Sequence, residues 1–244
     1  MSQAMMKAER MRQLKRTTPA RIGIGHAGTR IPTAAALDFL EAHAAANDAV
    51  FTEVPERVVR SLGVFEARTK CRDKHEMLTR PDLGRVFDEE ELARIKAHCE
   101  PDPDVQIYFG DGLCSPSIEA NITDLYGVIH AELTANGIRV GTPFFVRYCR
   151  VNTQRQIGPL LNAKAVCVLI GERPGLLTSE SMSAYISYRP CPEMSESDYT
   201  VVSNISRRGV PPVEAAAHIA ELIRDILEKR CSGTRYAALR EAEG

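Results

Sequence analysis

Ala165-Val166-Cys167-Val168-Leu169-Ile170-Gly171-Glu172-Arg173-Pro174-Gly175 is the stretch that decides the fold. Its first six residues are apolar, rich in β-branched side chains and too few for a helix. They predict a strand buried on both faces of a parallel sheet. The run stops at Gly171, and Glu172 and Arg173 follow between two glycines and a proline. In open α/β sheets ligands bind at such loops, beyond the carboxyl ends of the strands.

Working outward, the same alternation recurs. Val105 to Phe109 reads as a strand, Gly110-Asp111-Gly112-Leu113 as a turn, and Ser115 or Ser117 as the cap of a helix running to about Asn136. Phe144 to Val151 reads as a second strand, followed by a short helix over Gln154 to Asn162. Tyr185–Tyr188 and Thr200–Val202 are weaker strands, and Pro211-Pro212 starts a last helix that ends near Lys229. Upstream, Thr33 is placed to cap a helix over Ala34 to Asn47, and Asp88-Glu89-Glu90-Glu91 opens another with acids at its positive end. The rest of 50–100 reads as short helices. Strand and helix alternate, which predicts an α/β fold with a doubly wound, mostly parallel sheet. The expected organisation is a basic arm at 1–18, a mainly helical N-terminal lobe at 19–100, the sheet domain at 101–232 and a tail at 233–244.

Composition sets the outer bounds. With 244 residues, 44% hydrophobic and 26% charged, the chain can bury a real core, and a net charge of -1 gives no global field for nucleic acid. The exception is the arm carrying Lys7, Arg10, Arg12, Lys15, Arg16 and Arg21, which reads as a solvated helix or frayed terminus, or as a dock for an acidic partner. No apolar stretch approaches the roughly 20 residues that span a bilayer. The N-terminus also lacks the apolar core of a secretory signal. The seven cysteines are odd in number and form no C-x-x-C pair, which points to a reducing compartment and no zinc knuckle; Cys167 reads as a small core hydrophobe.

Several residues stand out as chemistry. Asp111 lies between Gly110 and Gly112 just past a strand, where glycines let a ligand approach and the next helix offers free N–H groups. The plainer reading is a tight turn with Asp111 as a local cap. Glu172 can accept from an amide or hydroxyl, and Arg173 can reach a carboxylate or a partner; the plainer reading is a surface ion pair. Gly23, Gly25 and Gly28 fit G-x-G-x-x-G, but no strand precedes them and Arg30 and Pro32 interrupt the way into the helix. They support only a second reading, a free-standing nucleotide-binding enzyme or module that uses these glycines and Asp111. Asp73-Lys74-His75 resembles the motif that supplies a histidine to cobalt, yet Leu78 replaces the glycine it needs. No G-x-S-x-G, P-loop or acid/base carboxylate pair is present, so no catalytic residue and no metal ligand is assigned. Developed ligand-edge loops without catalytic machinery describe a binding subunit.

The ordered set Gly141-Thr142-Pro143-Phe144-Phe145-Val146-Arg147-Tyr148, Ile170-Gly171-Glu172-Arg173-Pro174-Gly175, Val202-Ser203-Asn204-Ile205 and Pro211-Pro212-Val213-Glu214-Ala215 resembles the small subunit of ethanolamine ammonia-lyase. Gly25-His26-Ala27-Gly28-Thr29-Arg30, Thr79 to Arg85 and Asp111-Gly112-Leu113 extend the resemblance over about residues 18–230. It implies a Rossmann-like subunit that pairs with a larger TIM-barrel subunit in a hetero-oligomer. The two enclose adenosylcobalamin for radical conversion of ethanolamine to acetaldehyde and ammonia. The family's substrate sits on the large subunit, and its cobalamin keeps its own benzimidazole as axial base, in keeping with the dismissal of His75.

The family's cobalamin contacts fall here on Val151, Glu172 and Val201. Relatives can carry cysteine at Val201, so only a backbone contact would survive there unchanged. Asp111 and Gly112 are added from the geometry of their turn. Some relatives also carry a longer leader before Arg21-Ile22-Gly23-Ile24-Gly25, whereas this chain begins with a short basic arm. The expected setting is the cytoplasm, with the interior of a bacterial microcompartment as a further location.

Overall fold

The computed structural model describes residues 3–243; Met1 and Ser2 of the expected arm and Gly244 of the expected tail lie outside the described residues. Two exposed helices come first, α1 (Gln3–Arg16) and α2 (Thr33–Phe51), then α3 (Glu56–Ser61), β1 (Phe65–Arg68), α4 (Lys74–Thr79) and α5 (Glu89–His98). The larger alternating part follows as β2 (Val105–Gly110), α6 (Pro116–Ala135), β3 (Phe144–Arg147), α7 (Gln154–Leu161) and β4 (Ala165–Gly171). The chain closes with β5 (Met182–Tyr188), β6 (Thr200–Ile205), α8 (Pro212–Lys229) and α9 (Gly233–Glu243). None of the described helices is long and apolar enough to cross a membrane.

The fold is mixed α/β, with one six-stranded sheet in the order β1-β3-β2-β4-β5-β6. The β1–β3, β3–β2 and β2–β4 pairings are parallel. The β4–β5 and β5–β6 pairings are antiparallel, so the sheet is mostly parallel, as expected, with an antiparallel end. The reason is connection length. A parallel return needs a crossover of about a dozen residues or more, usually a helix. Here no helix lies between Gly171 and Met182, and only a 3-10 turn at Glu196–Asp198 lies between β5 and β6.

Every residue of β2 and β4 is buried, because helices cover both faces. Alternate side chains serve opposite cores. Ile107, Phe109, Cys167 and Leu169 pack with Ile118, Ile122 and Ile129 of α6 and Ile219, Ile223 and Ile226 of α8. Tyr108, Val166, Val168 and Ile170 pack on the other side with Ile95 of α5 and Ile157 and Leu161 of α7. Emptying one such site, as in Ile122→Ala, costs about 2–5 kcal/mol.

Local chemistry sets the boundaries. β3 stops before the expected Val151 because Tyr148 turns to φ 56. α7 ends where Asn162 takes the left-handed conformation, φ 51. α8 begins at Pro212, whose missing N–H falls in the first turn, where none is required. The expected side-chain caps are not formed. Thr33 lies inside α2 behind Pro32, Ser115 stays helical without capping α6, and the Ser117 hydroxyl donates to Cys114 O at 2.6 Å.

This topology creates a switch point. From β2 the chain passes through α6 to β3 on one side; from β3 it crosses back through α7 to β4 on the other. The two helices lie on opposite faces. The carboxyl ends of β3, β2 and β4 therefore open around one crevice, the place where such sheets bind ligands.

Candidate functional site

A cleft of about 490 Å³ occupies that crevice. Gly112 and Leu113 reach it from the end of β2, Arg150 and Val151 from the end of β3, and Ile170 and Glu172 from the end of β4. Ser183 and Tyr185 of β5 and Ser203 of β6 form the opposite wall. Burial raises the Tyr185 phenol above its ordinary value, with the charges of Glu172 and Glu196 adding to the effect.

Asp111 is fully buried beneath this crevice. Its two oxygens accept the backbone N–H groups of Tyr148 and Cys149, each at 2.9 Å, which ties the turn after β2 to the end of β3. Lys74 of α4, itself buried, sits 3.9 Å from Asp111 Oδ2 and donates to Gly112 O at 2.8 Å and to Ser115 Oγ at 3.3 Å. Burial holds the Asp111 carboxyl above its ordinary value, and Lys74 and the two N–H groups offset only part of this. The carboxylate thus faces inward, toward Lys74 and the two backbone N–H groups, and shapes the cleft from below.

Gly112 does line the cleft. Its φ of +56 suits glycine, and a Cβ there would run into Gly171 O and lie 2.7 Å from Ile170 Cγ1. The adjacent Leu113 N–H donates to the same Gly171 carbonyl at 3.0 Å. The turn after β2 and the end of β4 are therefore in direct contact, and only a residue without a side chain fits between them.

Glu172 clamps three strand ends. Its Oε1 accepts from the Ser183 hydroxyl and from Asn204 N–H at 2.8 Å, and its Oε2 accepts from the Ser181 hydroxyl at 2.7 Å. Its own N–H donates to Ser181 O at 3.0 Å. A carboxylate offers about four acceptor positions, so one on Oε2 stays open. Val151 is half-buried in the 3-10 turn Val151–Thr153 and lines the cleft. Val201 lies one strand further out, opposite Tyr185 on the edge strand β6, and is 44% exposed.

The structure thus brings Gly112, Val151 and Glu172 together on the cleft, puts Asp111 below it and leaves Val201 outside its lining, on the edge strand. Lys74, Ser183 and Tyr185 carry no signal of their own in the sequence, and Asn204 enters it only within Val202-Ser203-Asn204-Ile205. The glycines of G-x-G-x-x-G lie elsewhere, in the exposed segment between α1 and α2. Gly23, Gly25 and Gly28 all have positive φ, but no strand leads into them, so the strand–turn–helix context of a dinucleotide fingerprint is missing. His75 is exposed on α4, a helix whose N-cap Asp73 accepts the Glu76 N–H at 2.8 Å.

The family profile described as ethanolamine ammonia-lyase light chain matches residues 8–236. The ethanolamine ammonia-lyase small subunit of Listeria innocua is 49% identical over 221 residues, which cover 91% of this chain and 75% of that protein. The protein of the same name from Clostridium perfringens is 48% identical over the same span. That of Clostridium acetobutylicum is 47% identical over 228 residues, 93% of this chain and 94% of the relative.

Proposed function

The chain belongs to the ethanolamine ammonia-lyase light chain family, and on that premise we propose that its cleft grips one edge of adenosylcobalamin against a larger, TIM-barrel subunit. The assembly would convert ethanolamine to acetaldehyde and ammonia. The observation that carries this reading is the convergence of the ends of β2, β3 and β4, with Glu172, at the switch point of the sheet.

The residues present fit that cofactor. A corrin is a broad disc fringed with amides. Leu113, Val151 and Ile170 offer it apolar contact, and the open acceptor position on Glu172 Oε2 suits one amide N–H. A cleft of about 490 Å³ takes part of such a disc and leaves the rest for another wall. The parallel half of the sheet serves as a Rossmann-like platform in this reading. Within it Glu172 orients the cofactor, Val151 keeps water from its edge, the backbone around Val201 extends the wall, and Asp111 with Gly112 holds the floor in shape. When bound, the cofactor supplies the radical that acts on a substrate held by the larger subunit. This chain moves no proton and is inactive alone.

An apolar surface supports the partner. Leu37 and Leu40 of α2, which share one helix face, are 60% and 59% exposed, and Phe51 is 55% exposed. All seven cysteines are free, six of them buried, which suits a reducing, cytoplasmic setting or the lumen of a bacterial microcompartment. The test is co-expression with a larger subunit. Ethanolamine-dependent acetaldehyde release is expected from the pair and none from this chain alone; release by the isolated chain would overturn the division of labour.

A further inference from the structure

The cleft and the turn beside it carry cations without counter-ions among the described residues. Arg150 follows the end of β3, Arg173 follows the end of β4, and both line the cleft. Arg85 ends the 3-10 turn Leu83–Arg85, which docks on Arg150: the Arg150 N–H donates to Gly84 O at 2.9 Å, and a Cβ on Gly84 would lie 2.9 Å from Arg150 Cγ. The Arg150 guanidinium donates through Nη2 to Met77 O at 2.8 Å, while its Nε is buried without a partner. No carboxylate among the described residues forms an ion pair with Arg85, Arg150 or Arg173, although Arg72, Arg80 and Arg147 all have one. Asp111, whose charge reaches Arg150, is taken up by Lys74 and two backbone N–H groups. Burial, and after it the charge of Arg85, lowers the pKa of Arg150.

Like charges beside a buried, unpaired donor are unfavourable unless an anion joins them. Guanidinium groups match phosphate oxygens in a two-pronged geometry. On the periphery of cobalamin the phosphodiester of the nucleotide loop is the one negatively charged group; the others are amides, methyls and hydroxyls. We propose that Arg150, flanked by Arg85 and Arg173, is an anion subsite that takes this phosphodiester. The proposal rests on the cobalamin reading above and fixes an orientation, with the nucleotide loop toward the ends of β3 and β4 and the Leu83–Arg85 turn.

The test uses the complex with the larger subunit, titrated by visible absorbance with adenosylcobalamin and with adenosylcobinamide, which lacks the nucleotide loop and its phosphate. Arg150→Gln should weaken adenosylcobalamin binding roughly tenfold, as expected for losing a charged hydrogen bond, and leave adenosylcobinamide binding unchanged. Arg85→Gln, at an exposed residue whose side chain makes no hydrogen bond among the described residues, and Arg173→Gln should do the same to a smaller degree, and they carry the test should Arg150→Gln fail to fold. Equal losses for both ligands, or no loss for either, would overturn the subsite. Loss of subunit association with cofactor affinity intact would overturn it too, by assigning the arginines to a carboxylate of the partner. A wild-type complex that binds neither ligand would instead overturn the cobalamin reading itself.

Discussion

The Asp111 carboxylate holds the backbone N–H of Tyr148 at 2.9 Å, at the point where Tyr148 turns to φ 56 and ends β3. This bond converts an aspartate that reads as a ligand contact into part of the frame. With the matching bond to Cys149, it fixes where Arg150 and Val151 emerge over the cleft. Lys74 completes the frame from α4, so a segment far from the sheet core in sequence helps set the shape of the site.

Asp111→Asn removes the charge opposite a buried lysine, and Lys74→Met removes the lysine opposite a buried carboxylate. Each should cost about 3 kcal/mol, because an unpaired charge then stays buried. The double variant should lose less than the sum of the two, with a coupling of at least ~1 kcal/mol. Urea unfolding of the four proteins measures this. Additive losses would show that the two residues do not act as a pair.

Gly112→Ala should cost about 3 kcal/mol. It forces an L residue into the left-handed region and drives a Cβ into the Gly171 carbonyl, so the end of β4 must shift. Gly25→Ala is the control: its φ is also positive, +74, but nothing lies within 4 Å of the added carbon. It should cost only about 1 kcal/mol and leave cobalamin binding unaltered. Thermal unfolding and a cofactor titration separate the two, and equal costs would contradict the close approach at Gly112.

What the sequence makes legible follows the physics of covering. β2 and β4 announce themselves because both their faces are buried, which demands unbroken apolar runs. β1 does not. It is Phe-Glu-Ala-Arg on the edge of the sheet, and its Glu66 pairs with Arg147 of the neighbouring β3 at 2.6 Å and 2.8 Å, a partner that its own sequence does not announce. The direction of β5 is equally hidden, since alternation along a strand is the same whichever way it runs. Lys74 looks like any solvated helix residue until Asp111 is seen beside it. Glu172 stands out as a charge at a strand end, but the hydroxyls and N–H that surround it come from strands later in the chain.

Residues 233–243 read as a tail, yet they form α9, fastened to α8 through Asp225. Asp225 accepts from the Tyr236 hydroxyl at 2.7 Å and from Arg240 at 3.2 Å, with Lys229 at 3.6 Å. Burial pushes this carboxyl up, but those partners outweigh it and hold it below the ordinary 3.8. A depressed carboxylate stabilises the fold above its unfolded pKa and stops doing so as pH falls through the lower, folded value. Asp225→Asn should therefore destabilise the protein most at pH values above the carboxyl's unfolded pKa, and the gap to wild type should close as pH falls through the lower, folded one. Denaturant unfolding across that range checks the sign; a gap that widens in acid would reverse it.

Glu172 has both a structural task and, in the proposed function, a ligand to meet, and two substitutions divide them. Glu172→Ala deletes every acceptor used by Ser181, Ser183 and Asn204, so it should lower stability by about 2 kcal/mol and also weaken cobalamin binding in the complex. Glu172→Gln keeps the length and one carbonyl. Its oxygen can stay with Asn204 N–H and Ser183, and its NH₂ group can donate to the Ser181 hydroxyl, which is free to rotate. Stability should then stay within about 1 kcal/mol of wild type. The position that was an open acceptor, however, now presents a donor toward the amide N–H of a corrin side chain, and two donors cannot bond. Cobalamin affinity should fall with Gln nearly as far as with Ala, while the unfolding midpoint falls only with Ala. Wild-type affinity in Glu172→Gln would confine Glu172 to joining the ends of β4, β5 and β6.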